Sequence, residues 1–353
     1  MASILPISLC MIVKNEEIFL DTALKSVKSI LGLDDLVVVD TGSVDRTGEI
    51  ARENRAGVFD FKWCDDFSAA RNFASDRAKN DWILFLDADE EVTELNSGII
   101  ESLLQNSHAA GMVSFLDLTH KTHMRLARVY NRAYYKFEGS IHEQLRRNDG
   151  ISPLVTTNAG ISIVHHGYLP EYNRVMGKLE RNERLLLLEL DNKPDDPYLL
   201  YQLGKSYFCE DRNLTKACDY FGKSLQKGAD TKIGYTYDLI ECYGYALINS
   251  GEYEKALALR NKFAESYVDS IQFRFLSAQI FQNNGMLIEA VDSYENCIGA
   301  DVVDHKGITS FLSQYNVGVI LECVGMLDDA MRMYEKCGDY EPARLRLADL
   351  AKD

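Results

Sequence analysis

Five consecutive apolar residues, Trp82-Ile83-Leu84-Phe85-Leu86, run straight into Asp87-Ala88-Asp89-Glu90-Glu91. That pattern fits a strand buried on both faces that surfaces at its C-terminal end. Shorter β-branched runs precede it: strands are expected at residues 7–13, 36–40 and 57–61, with helical patterns between them, one near 17–30 and one opening at Asp66. Gly42 permits a tight turn after the second strand, and Ser43 is placed to cap the helix that follows it. Two further strands are expected at 111–118 and 124–130, with a turn at 120–123, and an alternating strand from Ile161 ends in His165-His166-Gly167-Tyr168. Strands alternating with helices predict an α/β fold built on a mostly parallel, Rossmann-like sheet with helices on both faces.

From about Pro194 the β pattern vanishes and helices come in pairs. Gly204, Gly244, Ala278 and Gly318 occupy one recurring site, spaced by 40, 34 and 40 residues. In the later three units Gly251, Gly285 and Gly325 follow that site by seven residues, and Ala256, Ala290 and Ala330 follow it by twelve. Tyr294 and Tyr334 follow by sixteen, where the second unit has Arg260. Small residues at fixed helix positions let paired helices approach closely, and the interhelical glycine supplies a turn. An all-α tetratricopeptide-like solenoid is expected over 194–353, after a sheet domain over 1–168 and a connecting helix over 169–193.

Composition narrows the options. With 38 basic and 54 acidic side chains the net charge is −16, which argues against a broad nucleic-acid surface or attraction to anionic lipid. The apolar run at the N-terminus is broken by Pro6 and Ser8 and lacks a basic segment before it, so it reads as a first strand rather than a signal peptide. No apolar run approaches the roughly 18 residues needed to span a bilayer. The 8 cysteines, scattered from Cys10 to Cys337 without a C-x-x-C pair, form neither a zinc signature nor a disulfide framework, which points to a reducing cytoplasm.

Asp40, Asp66, Arg71, Asp87 and Asp89 all lie at or just beyond expected strand ends, so one crevice can collect them. Asp87 and Asp89 can both approach one hard cation, Mg²⁺ or Mn²⁺, that shares its coordination with phosphates. Arg71 can bind diphosphate oxygens as a planar fork. Each also has a plainer role open to it: Asp40 as a strand terminator, Asp66 or Ser68 as a helix cap, Arg71 as a salt-bridged side chain. An alternating strand sends His165 and His166 to opposite faces, so only one can enter the site.

Four stretches in order, Ser8-Leu-Cys-Met-Ile-Val-Lys-Asn-Glu-Glu17, Asp40-Thr-Gly-Ser-x-Asp-x-Thr47, Trp63-x-x-Asp-Phe-Ser-x-Ala-Arg-Asn72 and Asp87-x-Asp89, resemble family 2 glycosyltransferases with the GT-A fold. The resemblance implies a UDP-sugar donor, a divalent cation and transfer with inversion. By position, Val13, Glu16 and Asp40 would line the nucleoside pocket, with Asp40-Thr41 standing where many relatives carry two acids. Asp66 and Arg71 would belong to the donor site, with Arg71 facing the base or diphosphate. Asp89 would be the firmest metal ligand, and Asp87, next to Ala88, would contact ribose or metal-bound water. The Gly-x-Ile-His-Glu stretch favours Glu143 as the base that takes the acceptor's proton, with Glu138 a second candidate and pairing to Arg146 or Arg147 the plainer role for Glu143. His165 would add a metal ligand, with His166 on the facing or surface side. Lys178 and Arg181, on the following helix, would neutralise the leaving UDP.

A family 2 domain followed directly by repeats resembles the bacterial enzymes that glycosylate bacteriocin peptides on Cys or Ser. That implies transfer of a hexose, glucose, to a peptide or protein held by the repeats. The repeats also suit homodimerisation or a simple brace. Extension of lipopolysaccharide or another glycan, and an inactive tetratricopeptide adaptor, are the competing functions.

Overall fold

The computed structural model describes residues 5–117, 122–166, 175–209, 213–228, 234–300 and 307–351, with side chains at 117, 122, 123 and 175–179 excepted. The chain forms two compact units, Met1–Glu189 and Leu190–Asp353.

Among the described residues the first unit is built on an eight-stranded sheet. Its strands are β1 (Ile7–Val13), β2 (Leu36–Asp40), β3 (Gly57–Asp60), β4 (Trp82–Phe85), β5 (Glu90–Leu95), β6 (Ala110–Asp117), β7 (Thr122–Asn131) and, beyond a separate antiparallel hairpin of β8 (Tyr135–Glu138) and β9 (Gln144–Arg147), β10 (Thr156–His165). Their order is β3-β2-β1-β4-β7-β6-β10-β5. The first four neighbours are parallel, as are β6 and β10, while β7 and β5 run antiparallel to their neighbours.

The pleat explains the unbroken apolar runs. Leu9, Met11, Val38 and Leu84 join one buried cluster, under Leu20, Leu24, Ile50 and Leu103. Their sequence neighbours Cys10, Val37, Val39, Ile83 and Phe85 point the other way, against Ala74, Tyr130 and Phe137. Both faces of these strands are therefore covered, and apolar residues at every position are what that burial requires.

The first helix, α1 (Leu20–Ser26), continues as a π-helical turn over Val27–Leu31 and ends at Gly32, whose φ of +65° no branched side chain would favour. The next helices are α2 (Thr47–Glu53), α3 (Phe67–Arg77) and α4 (Ser97–Leu104). Three expectations need correction. Ser43 does not cap α2, which begins at Thr47, and its hydroxyl instead accepts the Asn15 amide at 3.0 Å. Strand β4 stops at Phe85, so Leu86 to Asp89 already belong to the turn. Thr122 and His123, expected in a turn, lie in β7, and residues 118–121 fall outside the described residues.

A long helix, α5 (Val175–Asn192), precedes the second unit, which consists of α6 (Pro197–Phe208), α7 (Leu214–Gly228), α8 (Gly234–Asn249), α9 (Tyr253–Phe263), α10 (Ile271–Asn283), α11 (Leu287–Glu295), α12 (Phe311–Cys323), α13 (Leu327–Glu335) and α14 (Glu341–Leu350). The recurring small residue marks a close helix approach. A Cβ on Gly204 would stand 2.4 Å from the Phe221 ring, and one on Gly318 would stand 2.6 Å from that of Tyr334. Gly251, Gly285 and Gly325 take φ of +77°, +73° and +82° at the turn within each pair. The architecture is thus the expected α/β sheet followed by an all-α repeat region. No helix among the described residues is long and apolar enough to cross a membrane.

Candidate active site

The C-terminal ends of β1 and β2 are tied together by their own loops. Asp40 Oδ1 accepts the amides of Gly42 at 3.0 Å and Ser43 at 2.7 Å, an Asx turn that reverses the chain. Thr41 Oγ1 donates to the Val13 carbonyl at 3.0 Å, Asn15 Oδ1 accepts the Val44 amide at 2.8 Å, and Thr47 Oγ1 accepts the Glu16 amide at 2.7 Å. Val13, Glu16 and Asp40 are therefore gathered at one strand-end knot. The two sequence stretches that carry them fold directly onto one another.

Helix α3 explains the third stretch residue by residue. Asp66 caps it, accepting the Ala69 amide at 2.9 Å and the Ser68 hydroxyl at 2.7 Å. Asn72 pins the β8 strand by exchanging two 2.9 Å hydrogen bonds with the Phe137 backbone. The Phe67 amide donates to the Ser140 carbonyl at 2.8 Å. With helix and hairpin locked together, Arg71 is delivered between them. Its guanidinium lies 4.4 Å from the Phe85 ring centroid and 5.3 Å from that of Phe137.

Arg71 is one link in a buried chain of charges. Its Nε donates to Glu143 Oε1 and its Nη2 to Asp87 Oδ1 at 3.1 Å. The other oxygen of Asp87 accepts from Arg128 Nη2 at 3.0 Å, and the same nitrogen reaches Glu90 Oε1 at 2.7 Å. Glu90 Oε2 closes the turn by accepting the Asp87 amide at 2.9 Å. Burial alone would raise the Asp87 carboxyl, but the two guanidinium groups hold it well below the usual carboxylate range. Glu90 goes the other way: burial, with the charges of Asp87 and Asp89 adding to it, outweighs Arg128 and pushes it up to about 7. Arg71 Nη1 and Arg128 Nε are buried without a hydrogen-bond partner.

Strand β10 brings the histidines to this turn, since its end pairs with β5 and places His165 opposite Glu90. His165 Nε2 stands 3.3 Å from Asp89 Oδ2, while His166 Nε2 stands 2.9 Å from Glu91 Oε2. The two rings thus separate as the alternation predicts. Yet His166, expected on the facing or surface side, lines a cavity of about 270 Å³ together with Phe19, Ala88 and Asp89.

Among the described residues no three His, Cys, Asp or Glu side chains converge tightly enough to hold a metal unaided. Asp89 and His165 stand against each other, and Asp87 gives one oxygen to each arginine. Such a pair still suits Mg²⁺ or Mn²⁺, which commonly take one or two protein ligands and complete their shell with phosphate oxygens and water.

The remaining predicted residues divide between the site and its surroundings. Glu138 sits exposed on β8, paired to Lys136 at 3.0 Å. Glu143 is bound to Arg71, not to Arg146 or Arg147, which turn to Gln144 and Asp149. The Arg181 guanidinium lies 5.1 Å from the Phe67 ring, next to the Asp66 cap, and burial lowers its pKa. The Lys178 side chain lies outside the described residues. Sequence reasoning missed Arg128 and Glu90. Arg128 falls at a bulge in β7, where the register with β6 slips between the Gly111–Val129 and Met112–Ala127 pairs, so no alternation in the sequence announced it.

A family model described as "Glycosyl transferase family 2" matches residues 8–162. A tetratricopeptide-repeat-containing protein of Synechococcus elongatus is 32% identical over 325 residues, covering 85% of this chain and 76% of that protein. The SPbeta prophage-derived glycosyltransferase SunS of Bacillus subtilis is 29% identical over 225 residues. That match spans 61% of this chain and about half, 52%, of SunS. Among solved structures, YrrB, described as a TPR protein with an unusual peptide-binding site, is similar at 21% identity and a TM-score of 0.41, covering 51% of this chain and 87% of that one.

Proposed function

The chain belongs to glycosyltransferase family 2 and carries a tetratricopeptide-repeat region after its sheet domain, and from that premise we propose that it transfers glucose from a UDP-sugar to a Cys, Ser or Thr side chain of a peptide or protein. The observation that carries this reading is Arg71, which bridges Asp87 and Glu143 at the strand ends beside the Asp89 and His165 pair and keeps a buried Nη1 without an acceptor. A buried donor of that kind suits an anionic oxygen, and a diphosphate supplies several.

In this mechanism Val13, Glu16 and Asp40 hold the nucleoside, and Arg71, with Arg181 and Lys178 from α5, faces the diphosphate. Asp66 contributes by fixing the start of α3, and Asp87 by orienting the guanidinium. Asp89 and His165 would hold a divalent cation, whose charge offsets that of the diphosphate. The acceptor sulfur or oxygen attacks the anomeric carbon from the side opposite the phosphate. As that bond forms, the carbon–oxygen bond to phosphate breaks and UDP leaves with the electron pair. The acceptor's proton passes to Glu143; a thiol acceptor, already partly ionised near neutral pH, depends on this step less.

The test is donor hydrolysis and thermal shift of the purified protein with UDP-glucose, UDP-GlcNAc, UDP-galactose and GDP-mannose, with and without Mn²⁺. UDP-glucose should be turned over fastest, and Asp89→Ala should abolish the Mn²⁺ dependence. If no nucleotide binds and Asp89→Ala changes nothing, the enzyme reading fails. Mass spectrometry of a peptide encoded beside the gene should then show an added hexose on Cys, Ser or Thr.

A further inference from the structure

Among the later three units the repeat departs from its own pattern at one position, and the departure lines a cavity. Sixteen residues after the recurring small residue, the third and fourth units carry Tyr294 and Tyr334. Each reaches back to the residue four places after that small one: Tyr294 OH donates to Gln282 Oε1 at 2.9 Å and Tyr334 OH to Glu322 Oε2 at 2.6 Å. The second unit has Arg260 in place of the tyrosine and Ile248 in place of the acceptor. A cation thus stands where its sister units put a neutral hydroxyl, and the internal partner has been replaced by a side chain that cannot accept a hydrogen bond.

Among the described residues no acidic side chain pairs with Arg260. Its Nε is buried without a partner, its Nη1 reaches only Asn261 Oδ1 at 3.2 Å, and its guanidinium rests 4.7 Å from the Phe281 ring centroid. Burial lowers its pKa with no neighbouring carboxylate to oppose the shift. It opens onto a cavity of about 190 Å³ whose wall also holds Arg274, Tyr267, Ser293 and Asn296, and none of the lining residues is acidic. Arg274 is fixed in place by donating to the carbonyls of Asn296 at 2.9 Å and Val268 at 3.1 Å, which uses its hydrogens without neutralising its charge. Two guanidinium groups therefore share one small cavity in a chain whose net charge is −16. A partly buried, unpaired arginine is costly unless an anion completes it.

We propose that this cavity, between the end of α9 and helices α10 and α11, is a carboxylate-binding subsite that takes one acidic side chain of a polypeptide. Its volume suits a Glu or Asp side chain and is too small for a nucleotide. Glutamate is identified by chemistry: a planar carboxylate matches the guanidinium fork, and the aromatic rings of Tyr267 and Phe273 suit its methylenes. The subsite deepens the reading of the chain as a peptide or protein glycosyltransferase and rests on it for the nature of the polypeptide, namely the acceptor.

The experiment is a titration of the intact protein, followed by ligand-observed NMR, with the acetylated and amidated tripeptide Gly-Glu-Gly, its Gly-Gln-Gly counterpart and inorganic phosphate. The Glu peptide should bind, and the Gln peptide should bind about tenfold or more weakly, the effect of one charge-assisted pair. Arg260→Tyr, which installs the residue of the sister units, and Arg274→Gln should each weaken the Glu peptide by a similar factor. Hydrolysis of UDP-glucose should be unchanged in Arg260→Tyr. Equal binding of the two peptides to the wild-type protein would overturn the subsite whatever the variants do, as would Glu-peptide binding indifferent to both substitutions. Phosphate binding without Glu-peptide binding would also overturn it. Absence of donor turnover with selective Glu-peptide binding intact would instead overturn the glycosyltransferase reading and leave the subsite standing.

Discussion

Arg128 is the residue on which the local electrostatics turn. One nitrogen of its guanidinium joins Asp87 and Glu90, whose side chains would otherwise face each other in a turn that buries Glu90 and half-buries Asp87. Without Arg128 the Glu90 carboxyl, already pushed up to about 7, would take up a proton while Asp87 keeps Arg71, so the loss is that of the Arg128 hydrogen bonds, about 1–3 kcal/mol. Arg128→Met should therefore destabilise the protein by that order. Adding Glu90→Gln should restore part of it, with a coupling of about 1–3 kcal/mol in a double-mutant cycle read by chemical denaturation. Additive losses would mean that the two side chains do not sense each other. Two further substitutions separate chemistry from binding. Glu143→Gln keeps an acceptor for Arg71, so turnover should fall while donor affinity holds; a loss of affinity instead would assign Glu143 to binding. His165→Ala should raise the Mn²⁺ concentration needed for activity more than His166→Ala, and equal effects would remove the distinction between the rings.

At the scale of elements, what was legible in the sequence is what repeats or is buried twice. β1, β2 and β4 are covered on both faces, so their apolar runs stood out, and Leu84 against Ile83 and Phe85 divides cleanly between the two core clusters. β5, Glu-Glu-Val-Thr-Glu-Leu, was not anticipated because it lies at the sheet edge with only part of one face covered. α4 was missed for a related reason, being eight residues long with Ile100 and Leu103 its buried contacts. Within the site, members of one local stretch such as Asp66, Arg71 and Asn72 could be read together. Glu143, the partner of Arg71, and Arg128, which meets Asp87 from the other side, depend on how distant strands come to rest, which no local spacing encodes. The repeats are the opposite case, since a period recurs and can be checked against itself. It yields a prediction: Gly318→Ala places a methyl 2.6 Å from the buried Tyr334 ring, against an expected loss of about 1–3 kcal/mol for overpacking. The same site in the third unit is already Ala278, so Ala278→Gly should cost only about 1 kcal/mol, through helix propensity. A melting temperature unmoved by Gly318→Ala would show that α12 and α13 approach less closely than described.

At the scale of the whole molecule, the placement of aromatic residues offers a way to locate the nucleotide. The chain has 2 tryptophans, Trp63 and Trp82, and both lie in the unit spanning Met1–Glu189. Tryptophan fluorescence therefore reports unfolding of the sheet unit, whereas far-ultraviolet circular dichroism is weighted towards the helices of Leu190–Asp353. A ligand that binds only the folded form stabilises it by about 2.7 kcal/mol at a hundredfold excess over its Kd. For a unit of this size that corresponds to about 5–10 °C in Tm. UDP with Mn²⁺ should thus raise the fluorescence-detected transition by that amount, and Asp89→Ala should remove most of the rise. A circular dichroism transition that rises while the fluorescence transition stays still would put the nucleotide in the repeats, and the strand-end site would then need another ligand. The acidic tripeptide supplies the converse arm, because a subsite lined by Arg260 and Arg274 should stabilise the helical signal and leave the tryptophans where they were.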